Sequence, residues 1–192
     1  VKKEYNKMPF NITEFQSALF GGGARPSLFQ VTIQNPVAPI SNLKTPFMVQ
    51  SAQIPESTLN VIPINYFGRQ VKVAGNRTFA DWTVSIINDE DFLIRDGMER
   101  WSNAINGLRS NLRSFSLATT AQYKTNATVT QFSKTGLPLR TYNFIGLFPA
   151  SVSPIQLDWS QDDVERFDVT FSYDYWEAGE GIVGQVTNAL FN

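Results

Sequence analysis

Cysteine and histidine are both absent from this chain of 192 residues. Without cysteine there is no disulfide and no thiolate metal site. Without histidine the commonest general base and metal ligand is missing. No apolar run approaches the ~18 residues that a membrane-spanning helix needs, so no insertion into a membrane is expected. Val1 to Phe10 is polar and lysine-containing and lacks an apolar h-region, so no secretion signal is expected either. Net charge is only −1. No internal repeat is visible.

Several chemistry-bearing patterns begin and then fail. Gly21, Gly22 and Gly23 suggest a phosphate loop, but no Lys-Ser or Lys-Thr follows and no strand precedes them, so they read as a flexible joint. Asp158, Ser160 and Asp162 start like a calcium loop; the sixth position is Asp163 rather than Gly and the twelfth is Val169 rather than Glu. Asp89, Glu90 and Asp91 are explained by a helix N-terminus without a metal. Arg109 and Arg113 are too few for a nucleic-acid patch. The glycosylation sequons at Asn11, Asn76 and Asn126 have no secretion signal to give them meaning. Nothing favours a carboxylate pair for glycoside hydrolysis. The expectation is therefore no enzyme, no metal and no cofactor.

What is present is apolar bulk. Hydrophobic residues make up 42% and aromatics 13% of the chain, including 15 phenylalanines. That excludes a disordered chain and suits one domain with a sizeable core. Charge is unevenly placed, at +5 over residues 1–80, −5 over 81–99, +6 over 100–140 and −7 over 141–192. Such blocks are either solvated faces or complementary patches on a self-associating subunit.

Period-2 alternation marks most of the chain. Strands are expected at Leu28–Ile33, Phe47–Ala52 and Phe67–Ala74. Gly75 and Asn76 are read as a turn, with Gly75 supplying backbone freedom. Arg77, Thr78 and Phe79 then lead into a strand in which Trp82, Val84 and Ile86 share the core face. Asn126–Phe132 and Arg140–Phe148 form a hairpin, and Phe167 to Tyr175 reads as one strand. Thr13 is expected to cap a short helix. Asn88 and Asp89 to Asp91 are expected to open a longer one with Ile94, Met98, Trp101 and Ile105 on its apolar stripe. Arg77 and Trp82 are expected to brace the sheet against this helix. Ile54 to Tyr66 carries Pro55 and Pro63 and reads as a loop, because proline is excluded from central strands. It is unusually apolar for a loop, with Leu59, Val61, Ile62, Ile64 and Tyr66, so a neighbouring subunit is expected to cover it. A short helix is expected near Val186–Phe191. The fold class expected is mainly β, two packed antiparallel sheets in a sandwich or barrel-like domain, with one flanking helix.

The run VAGNRTFADWTV followed by NDE, from Val73 to Glu90, resembles the central motif of tail tube proteins of T-even-like contractile-tailed bacteriophages. ARPSLFQV (24–31), GLFPASVSPIQLDW (146–159) and FDVTFSYDYWE (167–177) are similar to other motifs of that family, in the same order. The resemblance implies an N-terminal arm over 1–23, a tail-tube domain over 24–177 and a C-terminal tail over 178–192. It implies a virion structural protein, assembled in the host cytoplasm, whose hexameric rings stack into a hollow tube. Sheath, baseplate, tail-terminator and tape-measure proteins are its implied partners, and double-stranded DNA passes through without sequence recognition. It implies inner strands lining a lumen, and alternation then assigns Gln50, Gln70, Lys72, Thr128, Thr130, Thr141 and Asn143 to the channel wall. The tube of a phage-derived injection device would resemble this chain equally, and a monomeric β-sandwich binding a ligand through Ile54–Tyr66 is the reading of a different class.

Overall fold

The computed structural model describes residues 11–19 and 22–179. Of the arm expected over 1–23, residues 1–10 and 20–21 lie outside the described residues, as does the helix expected near Val186. Nine strands are described: β1 Phe29–Ile33, β2 Val49–Ala52, β3 Ser57–Tyr66, β4 Arg69–Phe79, β5 Trp82–Ile87, β6 Thr125–Phe132, β7 Pro138–Val152, β8 Arg166–Ser172 and β9 Tyr175–Ala178. The helices are α1 Ile12–Ala18, α2 Ser41–Met48, α3 Leu93–Ile105 and the single turn α4 Thr120–Tyr123, with a 3-10 turn at Phe115–Leu117.

All pairings are antiparallel. β7 is long enough to serve two sheets. Its first part pairs with β6 and β9, and from Phe148 onward it pairs with β8. One sheet is thus β1-β6-β7-β9 and the other β7-β8-β5-β2. Gly146 marks the change, with φ +72. The chain changes sheets again at Tyr173–Asp174, so Phe167 to Tyr175 is two strands rather than the expected one.

The core lies between the sheets, where Trp82 stacks on Phe144 with ring centroids 4.2 Å apart. Val31, Ile33 and Val129 from one sheet and Val84, Ile86, Phe167, Val169 and Phe171 from the other are buried with them. Period-2 alternation puts these apolar residues on one side of each strand. α3 adds the expected stripe: Ile94, Met98 and Trp101 are buried, and the Trp101 indole N–H donates to the Tyr123 carbonyl at 3.0 Å.

Five local expectations are corrected. Phe47 and Met48 are helical, because α2 forms despite Pro46. Ser41 and Thr45 are its buried residues, and their hydroxyls donate to the carbonyls of Ala38 and Ser41. Asn35 organises this corner: its Oδ1 accepts from the N–H groups of Val37 and Ala38, and its Nδ2 donates to the Gly97 carbonyl of α3 at 2.8 Å. Second, the expected loop Ile54–Tyr66 contains the ten-residue strand β3, with Pro63 opposite Lys72 of β4. β3 and β4 form a two-stranded ribbon of their own. Half of each strand's N–H groups in such a ribbon point away from the partner, where proline is tolerated. The ribbon turns at Phe67 and Gly68, both at positive φ, not at Gly75–Asn76. Those two residues are a bulge: Leu59 pairs with Arg77 and Val61 with Ala74, so two residues of β4 oppose Asn60 alone. A Cβ on Gly75 would stand 3.1 Å from the Asn60 carbonyl oxygen, so close backbone approach, rather than unusual φ, explains the glycine.

Third, α3 begins at Leu93, with Phe92 as its N-cap residue. Asp91 accepts from the Leu93 N–H, and Lys44 of α2 binds the carboxylates of both Asp89 and Asp91. That lysine holds the Asp91 carboxyl below its ordinary pKa, aided by the Leu93 N–H. Fourth, Arg77 does not reach α3; its guanidinium donates across the ribbon to Ser57 Oγ at 2.8 Å. Finally, Asn11 rather than Thr13 caps α1, accepting from the Thr13 N–H at 3.1 Å.

Candidate assembly surfaces

The ribbon presents two unlike faces. Directly paired residues share a face, so the pairs Ile62–Val73 and Ile64–Val71 build one apolar stripe, extended by Tyr66. All five side chains are exposed. The opposite face carries Asn65 with Gln70 and Pro63 with Lys72, and nearer the domain Val61 with Ala74 and Leu59 with Arg77. The residues expected at an inter-subunit contact therefore divide: Ile62, Ile64 and Tyr66 lie on the stripe, and Leu59 and Val61 on the other side. Pro55 precedes β3. A two-stranded ribbon is marginal alone in water, and apolar side chains without a layer to pack on add nothing to its stability.

A second surface is the outer side of the β1-β6-β7-β9 sheet. Gln30 pairs with Thr130 and Thr130 with Thr141; Thr32 pairs with Thr128, Thr128 with Asn143, and Asn143 with Glu177. These side chains form two rows across the sheet, opposite the buried Val31, Val129 and Phe144. The Thr130 and Thr141 hydroxyls lie 3.3 Å apart, within hydrogen-bond reach. Glu177 supplies the only formal charge among them. Four of the seven residues assigned to the channel wall, Thr128, Thr130, Thr141 and Asn143, are thus brought together.

The other three are not. Gln70 and Lys72 stand on the ribbon and Gln50 on β2, the edge strand of the second sheet. Gln30, Thr32 and Glu177 share the polar face and escape a sequence reading. Alternation along β1 was legible, but its pairing with β6 spans a hundred residues. Of the motif residues, Trp82 is fully buried, Phe79 is half-buried beside Tyr173 and Trp176, and Asp89 holds Lys44.

The model of the family described as phage tail tube protein matches residues 24–179 of this sequence. That range takes in every strand described above. The chain belongs to the phage tail tube protein family. Relatives in this family include the tail tube protein gp19 of Enterobacteria phage T4, 33% identical over 159 residues, with 82% of this chain and 93% of the relative covered. The tail tube protein of Serratia phage KSP90 is 26% identical over 157 residues, covering 79% of this chain and 87% of that one.

Among solved structures, the anti-feeding prophage tube-terminating cap superposes with TM-score 0.62 at 17% identity, covering 83% of this chain and 92% of that one. The sheath/tube terminator of the PVC extracellular contractile injection system gives 0.61 at 16% identity, with 82% and 97% covered. At these identities the likeness is one of fold. The tail tube family resemblance visible in four sequence motifs is borne out, as is the mainly β, two-sheet architecture. The bulge at Gly75–Asn76, the buried Trp82 and the loop after β7 all fall within the matched residues.

Proposed function

We propose that this chain is the repeating subunit of a phage tail tube: six copies close a ring, rings stack, and the hollow interior holds the tape-measure protein and then conducts double-stranded DNA. The observation that supports this reading is the β3–β4 ribbon, whose apolar stripe is exposed and has no layer packed on it among the described residues. Covering it with a neighbouring copy removes that surface from water, at roughly 25 cal/mol per Å² of apolar area. Closing the sheets of neighbouring subunits into a barrel also satisfies their open strand edges, which otherwise invite aggregation.

The polar rows on β1, β6, β7 and β9 supply the channel wall in this proposal. DNA carries a charge about every 1.7 Å along its axis, so a basic wall would bind it and slow its exit. Threonine, glutamine and asparagine with one Glu177 per subunit let it slide. The relatives quoted above are phage proteins, which favours a virion tail, with sheath, baseplate and terminator as partners, over a phage-derived injection device.

Electron micrographs of the purified full chain test assembly directly: rings or tubes are expected, and a protein that stays monomeric at high concentration sinks the proposal and favours a ligand-binding module. Ile64→Glu with Val71→Lys replaces a cross-strand apolar pair by an opposite-charge pair, which keeps the ribbon paired. A folded subunit that no longer polymerises is expected; normal tubes would remove the ribbon from the contact. For the wall, single cysteines at Thr128 and Asn143 in assembled tubes should react with a small thiol reagent and resist one too bulky to enter.

A further inference from the structure

Two further surfaces sit at opposite ends of α3. At its C-terminal end, the segment from Asn106 to Thr119 contains Arg109 and Arg113 and no acid. It exposes Leu108, Leu112 and Phe115, the last at 97%. Arg113 is held in place, donating to the carbonyls of Ile105 and Ala118 and lying 4.8 Å over the Tyr123 ring. Arg109 makes no ion pair among the described residues.

At the N-terminal end lies the loop from Ser153 to Glu165. It contains Asp158, Asp162, Asp163 and Glu165 and no base, and it exposes Leu157, Trp159 and Val164. Trp159 has no contact that shields it. The loop is tied to the start of α3. Arg95 donates to the Ser153 carbonyl and lies over the Phe167 ring, and Asn88 donates to Glu165 at 2.5 Å. α3 has 13 residues, which at 1.5 Å per residue separates the two surfaces by about 20 Å.

We propose that these surfaces bind each other across the boundary between neighbouring copies of this chain, the basic apolar end of one subunit seating on the acidic apolar loop of the next. The inference rests on the assembly reading above and adds which faces meet. Each surface combines large exposed side chains with charge of one sign, the composition of an interface centre with a charged rim. An isologous contact centred on either surface would set like charge against like. A head-to-tail contact satisfies both surfaces at once and repeats around a ring.

The test is a charge swap within one chain, chosen at two positions that make no contact needed for folding: Arg109→Glu, Asp162→Lys, and both together. The threshold concentration for assembly is measured by sedimentation, with circular dichroism confirming each fold. Each single reversal is expected to raise the threshold roughly threefold to tenfold. The double variant is expected to return toward wild type, because every interface then carries the pair reversed. Assembling wild type with additive losses in the double variant overturns the pairing. Loss from Asp162→Lys alone would assign the acidic loop to a different basic partner and also overturns it. A wild-type chain that never assembles removes the assembly reading itself, a separate outcome visible before any variant is made.

Discussion

Gly146 should be the least replaceable residue of β7. It sits where the strand passes from one sheet to the other, at φ +72, a conformation that costs an L-residue about 1–2 kcal/mol. An alanine Cβ there would overlap the Asp174 carboxylate, reaching 2.7 Å from its Cγ. Asp174 cannot simply swing away, because its N–H donates to the Ile145 carbonyl at 3.0 Å and its carboxylate pairs with Lys124 at 2.5 Å. That pair is partly exposed, so breaking it costs at most ~1 kcal/mol. Gly146→Ala should then destabilise the subunit by about 2–3 kcal/mol. Asp174→Ala should cost at most ~1 kcal/mol, and the double variant about 2–3 kcal/mol, no more than Gly146→Ala alone, because the Lys124 pair is lost in both and only the φ cost is added to it. Urea denaturation on the Ile64→Glu/Val71→Lys background, where assembly does not add to stability, measures all three with unchanged m. Additive costs would refute the overlap, and a Gly146→Ala cost under about 0.5 kcal/mol would refute the strained corner as well.

Trp82→Ala should cost about 3–5 kcal/mol, as for a fully buried aromatic. Trp82→Phe should cost clearly less, since the indole N–H meets no protein acceptor and the stack on Phe144 survives; equal melting losses would show otherwise. Asn35→Ala removes three hydrogen bonds of a buried side chain and should cost about 2–4 kcal/mol by denaturant titration, whereas a near-neutral result would mean α2 does not depend on that side chain. Tyr173 is pushed up to about 12, first by burial and then by the charge of Asp81; its hydroxyl donates to the Ala80 carbonyl at 2.6 Å. The fold favours the neutral phenol, so this contribution is complete below pH 10 and disappears as pH rises toward 12. Tyr173→Phe should flatten alkaline unfolding across that window, and an ultraviolet titration showing all tyrosines ionising together near 10 would contradict it.

Whatever depends on a residue's near neighbours could be read along the chain. The stripe of α3, the alternation of Trp82 to Ile86 and of Phe167 to Phe171, and the β6–β7 hairpin were all legible. A side chain's face follows from the period of the backbone alone. The family was legible too, because four motifs hold their order along the chain. Tertiary structure decided the rest, and each case has a distant partner. α2 carries Pro46 because Asn35 and Gly97, sixty-two residues apart, anchor it. β3 is a strand with two nearby prolines because β4 pairs with it along one edge only. Gly75 looks like a turn residue from its composition, and only the register opposite Asn60 makes it a bulge. Thr128, Thr141 and Asn143 could be placed on one side of their strands from alternation. That Gln30, Thr32 and Glu177 join them, and that Gln70 and Lys72 do not, depended on which strands pair, because pairing is a long-range contact that local periodicity does not encode.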